Sequence, residues 1–302
     1  MTTPLVSIII TTKNEEDNVG NCLESIKAQA YPQEKIEIIV VDNSSIDKTK
    51  EIARKYTKKI YNQGPERSAQ RNYGAQRAGG EWLLFLDADM ILSPTLIEKG
   101  IKKAQKENLV ACYIPEIILG TSFWCRVRRL ERSFYDGTPI DAVRLIKTNV
   151  FNKIEGFDLS LTGPEDWDLD KRIRHEGGVG LTSTYNFKQI NQQLNRLDNN
   201  NFTNSLFKIS PKPILYHNEV DFNLSKYLAK KAYYSANFDK YIKKWGENDP
   251  DLKKQLGPFY RYCLVFIERG GWKKIIRFPH LMTGVFILKF LLGLNYLKQK
   301  IL

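Results

Sequence analysis

Histidine and cysteine are scarce in this chain of 302 residues, which has 3 histidines and 4 cysteines. The cysteines lie far apart, with no CxxC pair and no histidine cluster near them, at Cys22, Cys112, Cys125 and Cys263. The chain therefore lacks the patterns of a zinc ribbon and of a disulfide framework, which favours a reducing compartment. No GxGxxG follows the first apolar run, so the pattern of a dinucleotide-binding site is also missing.

The sequence has little that would carry a chain into or across a membrane. Residues 1–4 do not begin a basic region followed by an apolar run and a cleavage site, so we expect no signal peptide and a cytoplasmic protein. The most apolar run, 281–297, is seventeen residues long and is interrupted by Lys289 and Asn295. It is shorter than a membrane-spanning helix requires.

The composition is that of a globular protein, with 42% hydrophobic and 26% charged residues. The net charge of +12 is unevenly placed, because residues 221–302 hold 16 Lys and Arg but only 6 Asp and Glu. A basic C-terminal region occurs in nucleic-acid binders, in proteins at anionic membranes and as a merely solvated face. Composition alone leaves these three interpretations open.

The first half of the chain alternates between strand and helix patterns. Short apolar or β-branched runs predict buried strands at 5–10, 36–41, 59–61, 82–86 and 110–114. Helical patterns separate them at 19–30, 47–56 and 68–78, and another begins at Pro94. This alternation predicts an α/β fold with an open, mostly parallel sheet and helices on both faces. Ligands of such sheets bind at the carboxyl ends of the strands.

The second half breaks this alternation. Residues 118–140 are basic and aromatic, 163–176 are acidic and then helical, and 186–204 are rich in Asn and Gln, which predicts a long loop. Helical patterns dominate after Leu224. We expect a helical, basic C-terminal extension of the α/β domain.

Two carboxylates, Asp87 and Asp89, directly follow the strand predicted at 82–86. At a strand end, side chains two residues apart converge once the chain turns, and carboxylate oxygens are ligands for Mg²⁺ or Mn²⁺. An ion held by so few protein ligands is completed by the oxygens of a diphosphate. An acidic pair that only solvates a loop is the alternative, but the strand-end position favours a site.

Polar residues follow the first two strands in the same way. Thr11 and Glu15 lie in the loop after the first strand, and Asp42 ends the second, where it can bind a base N–H or cap the next helix. The helix that begins near Arg67 carries Arg71, and a helix N-terminus with guanidinium groups suits a phosphate or a uracil-like carbonyl. Ordinary exposed basic residues are the alternative, above all for Arg67.

The acidic cluster at the start of the helix after Gly163 offers a general base. Asp168 and Arg172 are spaced i,i+4 and are expected to pair. That leaves Asp166 or Glu165 to face the crevice and accept a proton from an acceptor hydroxyl. A charged helix start favoured by the helix dipole is an equally good interpretation of the spacing.

Taken in order, these motifs resemble the family 2 glycosyltransferases of GT-A fold. The segments that carry the resemblance lie within about residues 4–220 and are 7–15, 38–45, 71–72, 80–81, 87–89, 156–158 and 165–168. The resemblance implies a nucleotide-sugar-binding half at 1–115 and an acceptor and catalytic-base half at 116–220. The C-terminal region would then be 221–302.

The resemblance also implies roles for residues of the first half. Thr11, Glu15 and Asp42 would hold the base and ribose of the nucleotide, with Arg71 nearby. Asp87 would contact the ribose or the water on the metal. The donor implied is a nucleoside-diphosphate sugar, with uridine and guanosine as the favoured bases.

The metal and the base follow from the same resemblance. Asp89, with help from Asp87, would bind Mn²⁺ or Mg²⁺, and His217 lies where many relatives have a strand-end histidine near the metal or diphosphate. A structural histidine is an equally weighted alternative there. Asp166 matches the catalytic base of these inverting enzymes.

The expected function is therefore transfer of a sugar to the hydroxyl of a glycan or lipid-linked glycan, one addition at a time, because no QxxRW motif of processive synthases is present. One alternative is a polyprenyl-phosphate acceptor, which is already ionised and needs no base. A non-catalytic membrane or nucleic-acid binder and an inactive scaffold are others. We expect no nucleic-acid partner, because no base-stacking aromatic motif accompanies the basic residues.

The C-terminal run 281–297 and the basic, aromatic stretch 272–277 before it are typical of a helix lying in the membrane interface. We therefore expect peripheral contact with the cytoplasmic face of a membrane. A helix docked on the catalytic domain or between subunits is the alternative. Trp124 and the arginines that follow it offer a second membrane contact.

Overall fold

The computed structural model describes residues 3–195, 210–235 and 237–301. Its strands, in chain order, are β1 Val6–Thr12, β2 Ile36–Asp42, β3 Ile60–Asn62, β4 Trp82–Asp87, β5 Met90–Leu92, β6 Ala111–Tyr113, β7 Glu116–Ile118, β8 Val143–Lys147, β9 Val179–Leu181 and β10 Leu215–His217.

The helices of the α/β part are α1 Val19–Lys27, α2 Thr49–Ala53, α3 Arg67–Ala75, α4 Leu96–Lys106, α5 Phe123–Arg132, α6 Thr148–Lys153, α7 Glu165–Glu176 and α8 Phe187–Leu194. Those of the C-terminal region are α9 Leu224–Ser235, α10 Phe238–Trp245, α11 Pro250–Leu256, α12 Val265–Ile267, α13 Trp272–Arg277 and α14 Pro279–Ile301. A π-helical turn, Tyr260–Leu264, leads into α12.

The central sheet has the strand order β3-β2-β1-β4-β8-β6-β9. Its pairs are parallel except for β8, which runs antiparallel to both β4 and β6. All seven residues of β1 are buried, because helices cover both faces of the sheet. A strand buried on both faces reads as a continuous apolar run rather than an alternating one. The predicted α/β fold with a mostly parallel sheet is confirmed.

Each face of the sheet has its own core. Side chains of α1, α2 and α4 pack on one face with β-strand residues such as Ile8 and Leu84. Side chains of α3, α6 and α7 pack on the other face with Ile9 and Phe85. The alternation of neighbouring strand residues between the two cores follows from the two-residue period of a strand.

A second, three-stranded sheet, β5-β10-β7, was not predicted. Its strands have three residues each, too few to show a hydrophobic pattern. In it β10 pairs antiparallel with β5, so that His217 lies opposite Met90. This pairing brings the end of β10 next to Asp89, although the two segments are far apart in the sequence.

Several predicted boundaries need correction. Helix α3 ends at Ala75 rather than at residue 78, because the amides of Arg77 and Ala78 bond three residues back instead of four. Helix α2 begins at Thr49, whose amide bonds to the side chain of Asp47. Helix α4 begins at Leu96. The predicted loop 186–204 opens instead with helix α8, and its residues 196–204 lie outside the described part of the chain.

The C-terminal region packs on the α/β part across the boundary expected at residue 220. Leu281, Val285 and Leu288 of α14 share a buried core with Val127 and Leu130 of α5. One face of α14 is therefore docked, as in the alternative interpretation of this helix. Among the described residues, no helix combines the length and apolarity needed to cross a bilayer. The four cysteines are free, as expected, and three of them are buried.

Candidate functional site

The carboxyl ends of β1, β2 and β4 meet at one edge of the central sheet. Register places Thr11 beside Asp87 and Thr12 beside Asp42. The Thr11 hydroxyl donates to Asp87 Oδ1 at 3.1 Å, and the Thr12 hydroxyl donates to Asp42 Oδ1 at 3.0 Å. The strand-end residues predicted from the sequence therefore lie together at one crevice.

Asp42 is fully buried and shapes the loop that follows β2. Its Oδ2 accepts the backbone N–H of Ser45 at 2.7 Å. It does not cap the next helix, because the first amide of α2, that of Thr49, bonds to Asp47 instead. The capping alternative for Asp42 is therefore wrong.

Glu15 is half-buried within the loop that follows β1. Burial raises the pKa of its carboxyl group, against a hydrogen bond from Asn18 at 2.9 Å that lowers it. The negative charges of Asp89 and Asp87 raise this pKa further. Glu15 therefore lies close enough to the two strand-end aspartates to be affected by their negative charge.

Arg71 joins both halves of the site. Its side chain is 1% exposed, with Nη2 3.0 Å from Asp87 Oδ1 and Nη1 3.0 Å from Asp166 Oδ1. The guanidinium also lies over the ring of Phe157, 5.1 Å from its centroid. Arg71 is thus a buried link between α3, β4 and α7 rather than a solvated helix residue.

Asp87 is surrounded by positive charge. In addition to Arg71, Arg67 and Arg144 lie 3.6 and 3.9 Å from its Oδ2. Burial opposes ionisation, but these guanidinium groups hold the pKa of Asp87 well below its usual range. Sequence reasoning missed Arg144, whose only signal is a charged residue in the otherwise apolar run of β8.

Asp89, His217 and Glu116 form a chain of hydrogen bonds. His217 Nε2 is 3.0 Å from Asp89 Oδ2, and its Nδ1 is 2.9 Å from Glu116 Oε1. Burial disfavours the charged imidazole, but the two carboxylates raise the pKa of His217 well above its usual value. Glu116 was not predicted, because no local sequence pattern indicates the β7–β10 pairing that brings it to His217.

This chain of groups offers a carboxylate oxygen to a divalent cation, and the imidazole becomes a second donor if the cation displaces the proton on Nε2. Asp89 Oδ1 is buried and has no hydrogen-bond partner within the described residues, and an imidazole nitrogen lies beside the same carboxylate. Within residues 3–195, 210–235 and 237–301, no cluster of three or more His, Cys, Asp or Glu side chains is arranged to hold a metal by itself. The donor set therefore fits an ion whose remaining ligands come from substrate and water.

The three carboxylates at the start of α7 lie in three different environments. Asp168 is fully buried and pairs with Arg172 at 2.8 Å, as predicted. Glu165 is 4% exposed and accepts the backbone N–H of Gly163. Asp166 is 26% exposed, the most open of the three, but it is not free of partners as expected, because Arg71 holds its Oδ1.

Helix α9 of the C-terminal region contacts this site. The sequence predicts the helix but not this contact. The Tyr234 hydroxyl accepts a hydrogen bond from Arg67 at 2.6 Å, and the Tyr233 hydroxyl donates to Glu66 at 2.9 Å. Gly163 has φ +104°, and a Cβ there would lie 2.8 Å from Tyr234 Cβ. The loop before α7 thus follows the surface of α9 closely.

Similar solved structures have the same fold. A mannosyltransferase from Pyrobaculum calidifontis in complex with GDP-Man and Mn²⁺ superposes with a TM-score of 0.60 over 99% of this chain and 89% of that one, at 16% identity. Residues 1–349 of TarS from S. aureus in complex with UDP-GlcNAc superpose with a TM-score of 0.53 over 85% of this chain and 73% of that one, at 15% identity. At such identities the likeness concerns the fold alone.

Similar sequences cover a shorter part of the chain. Glycosyltransferase AglE from Haloferax volcanii is 38% identical over 107 residues, which are 33% of this chain and 35% of that protein. An uncharacterised glycosyltransferase of Rickettsia typhi is 32% identical over 184 residues, 55% of this chain and 57% of its own length. The sequence profile described as glycosyl transferase family 2 matches residues 7–158, half of the chain and the part that carries β1, β2, β4 and their strand-end carboxylates. The chain belongs to glycosyl transferase family 2.

Proposed function

We propose that this chain transfers a sugar, with inversion, from a nucleoside-diphosphate sugar to an acceptor hydroxyl, with the help of Mn²⁺ or Mg²⁺. The observation that carries the proposal is the position of Arg71, which lies 3.0 Å from both Asp87 and Asp166. It fixes the candidate base of α7 at the strand edge where the ligands of such sheets bind.

The donor is assigned to the crevice between the loops after β1, β2 and β4. Three guanidinium groups, those of Arg67, Arg71 and Arg144, converge on Asp87, and such groups suit a diphosphate. Each of these arginines also has a second carboxylate partner, in Glu165, Asp166 and Glu116 respectively. GDP-Man and UDP-GlcNAc, the ligands of the two similar structures, support this class of donor. Thr11, Glu15 and Asp42 are assigned to its base and ribose.

Asp89 and His217 would hold the metal, since Asp89 Oδ1 has no partner among the described residues and His217 Nε2 lies beside the same carboxylate. A divalent cation bound there supplies positive charge that stabilises the departing diphosphate. Glu116 fixes the orientation of His217 through Nδ1. Asp87, already neutralised by guanidinium groups, positions the arginines that face the diphosphate.

Asp166 acts as the general base. Its carboxylate takes the proton of the acceptor hydroxyl while that oxygen bonds to the anomeric carbon and the bond from this carbon to the diphosphate breaks on the opposite face. Arg71 holds Oδ1 and orients the carboxylate. A base must lie within hydrogen-bond reach of the proton it removes, and Asp166 is the open carboxylate at the start of α7.

Peripheral membrane contact is part of the proposal. The face of α14 that is not docked is also apolar, and its exposed side chains are Phe286, Ile287, Phe290, Leu294 and Leu297. A helix that is apolar all round needs a second apolar environment. Lys273 and Arg277 of α13 are exposed next to it and suit anionic headgroups.

Thermal unfolding with UDP, GDP, CMP and dTDP, with and without Mn²⁺, tests the function. A ligand that binds only the native protein raises its melting temperature. We expect one diphosphate to do so in the presence of Mn²⁺ for wild type, Asp166→Asn and the surface control Asp239→Asn, but not for Asp89→Ala. Asp166→Asn should then lose transfer almost completely, whereas a phosphate acceptor would leave most of it. No shift with any nucleotide would refute the enzyme assignment.

A further inference from the structure

A cavity of about 650 Å³ lies between α9, α11 and α14, next to the start of α7. Its walls are mostly apolar and include Trp167, Phe238, Leu256, Phe290 and Leu294. This volume is within the range of roughly 300–1,000 Å³ that is usual for ligand pockets. We call this cavity the α9–α14 chamber.

Three cationic side chains, Lys231, Arg261 and Lys289, also line the chamber. Lys289 is 3% exposed, and its Nζ lies 2.9 Å from the Tyr135 hydroxyl and 3.7 Å from Glu131. Glu131 also pairs with Arg128 at 3.0 Å, and Arg128 has a second carboxylate partner in Glu219 at 3.1 Å. Burial, together with the nearby charge of Arg261, lowers the pKa of Lys289 to about 7.

The other two cations have still less compensation. Nη1 of Arg261 is buried and has no hydrogen-bond partner in the described chain. Lys231 faces the rings of Tyr227 and Tyr234 at 5.6 and 5.8 Å and forms no ion pair with any described residue. A largely apolar chamber with uncompensated positive charge is complementary to a molecule that joins a hydrocarbon to an anion.

We propose that the α9–α14 chamber binds the lipid end of a lipid-linked acceptor, with its phosphate or diphosphate among Lys231, Arg261 and Lys289 and its hydrocarbon along Phe290 and Leu294. This assignment rests on the proposed function, for which it names the class of acceptor.

The position of the chamber relative to the reacting groups supports this acceptor. Trp167, a wall of the chamber, directly follows Asp166 in α7. Helix α9 carries Lys231 in the chamber wall and, three residues on, Tyr234 on Arg67. A phosphate bound in the chamber therefore lies against the helix that carries the candidate base.

The chamber also continues into the exposed apolar face of α14. Phe290 and Leu294 line the cavity, yet they are 61% and 48% exposed. A hydrocarbon chain can thus run from the chamber along α14 into a membrane on which this helix rests. The acceptor would reach the site without leaving the bilayer entirely.

Titration calorimetry on the full chain, without nucleotide, tests the proposal. The probes are farnesyl diphosphate, farnesol, inorganic diphosphate and dihexanoyl phosphatidic acid. We expect farnesyl diphosphate to bind at least about tenfold more tightly than each of the others, because only it offers both a diphosphate and an isoprenoid chain.

Two variants, each with a matched control, locate the binding. Lys231→Gln and Phe290→Ser should each weaken the binding of farnesyl diphosphate at least about fivefold, through a lost charge and a lost apolar contact. Lys226→Gln, on an exposed position of the same helix, and Ile287→Ser, on the exposed face of α14 outside the chamber, should stay within about twofold of wild type. Lys231 and Phe290 are both exposed, so neither change is expected to unfold the protein.

Failure to bind farnesyl diphosphate, or equal binding by Lys231→Gln, would overturn the proposal. Equal affinity for the phosphatidic acid would overturn the acceptor and leave a general phospholipid site. The nucleotide shifts described above are measured separately. Lipid binding without any nucleotide shift would therefore refute the proposed function, while a nucleotide shift without lipid binding would refute only the chamber.

Discussion

Arg71 and Asp166 form a nearly buried ion pair of 3.0 Å between α3 and α7, and this pair links the strand edge to the candidate base. The second guanidinium nitrogen holds Asp87 at the same distance. Two carboxylates from different elements thus share one planar guanidinium group. The ammonium group of a lysine cannot bind both carboxylates in the same geometry.

Replacing Arg71 by Lys should therefore impair both stability and catalysis. We expect the free energy of unfolding to fall by about 2 kcal/mol, because one of two half-buried carboxylates loses its guanidinium partner. Release of nucleoside diphosphate from the donor should slow at least about tenfold, since the base is no longer positioned. Urea unfolding and a nucleotide-release assay measure the two effects. Arg54→Lys, on an exposed position, should match wild type in both, and a similar result for Arg71→Lys would contradict the role of the bridge.

Glu116 should act on the metal site through His217. Its carboxylate accepts from Nδ1 of the imidazole and so directs Nε2 toward Asp89. Removing such an outer partner commonly weakens metal binding about 10–100-fold, and we expect at least about tenfold for Mn²⁺ in Glu116→Gln. Calorimetry with Mn²⁺ measures this on the folded variant. The exposed control Glu107→Gln should keep wild-type affinity, and unchanged affinity in Glu116→Gln would show that Glu116 has no such role.

Substitutions at Gly163 and Gly246 distinguish the cost of backbone strain from the cost of a steric clash. Both have positive φ, +104° and +84°, but a Cβ on Gly163 would meet Tyr234, whereas a Cβ on Gly246 has no heavy atom within 4 Å. Gly246→Ala should cost about 1 kcal/mol of stability through strain alone. Gly163→Ala should cost more and also slow nucleotide release, because α9 must move away from the site. Equal losses in thermal unfolding would argue against close packing of α9 on this loop.

Asp170 should make stability depend on pH. Burial raises its pKa to about 6, against the hydrogen bonds from Arg174 and Tyr113. An unfolded aspartate titrates near about 3.9, so between about pH 4 and pH 6 the native state keeps a proton that the unfolded state has lost. Through Asp170, raising the pH across this window therefore lowers the stability of the native state by up to about 3 kcal/mol.

Asp170→Asn cannot lose this proton and should lack the part of the decline that Asp170 causes. Urea unfolding at about pH 4 and about pH 7 gives the comparison, in which the variant should gain stability relative to wild type at the higher pH. Parallel pH profiles for the two proteins would exclude Asp170 as the source.

The exposed face of α14 should govern membrane binding. Phe286 and Ile287 are 43% and 47% exposed. Burial of each in the interface contributes about 1 kcal/mol, so the double change to Ser should weaken sedimentation with anionic vesicles at least about tenfold. Leu159→Ser, at a residue that is 61% exposed in the loop before α7, is the matched control and should have no effect. Equal vesicle binding by all three proteins would remove α14 from the contact.

The sequence predicts the parts of this structure that rest on local pattern. β1, β2 and β4 are continuous apolar runs because helices cover both faces of their sheet, and polar residues follow each of them at the predicted edge. The i,i+4 pair of Asp168 and Arg172 is likewise local.

The remainder depends on long-range pairing that no local pattern encodes. The three-residue strands β7 and β10 bring Glu116 to His217, and Arg144 reaches Asp87 only because β8 pairs with β4. The periodicity of α9 predicts a helix but not the packing of Tyr234 against Gly163. For α14, composition predicts an apolar helix, whereas the docking of one face depends on the surface of α5.

Helix α9 touches Arg67 through Tyr234 and the α9–α14 chamber through Lys231, less than one turn apart. A ligand that binds on one side of α9 and restrains it lowers the conformational entropy of this helix. The ligand on the other side then loses less conformational entropy when it binds. By thermodynamic reciprocity, the gain in affinity is equal in both directions. Whether donor and acceptor load independently or reinforce each other is therefore decided by the rigidity of one short helix.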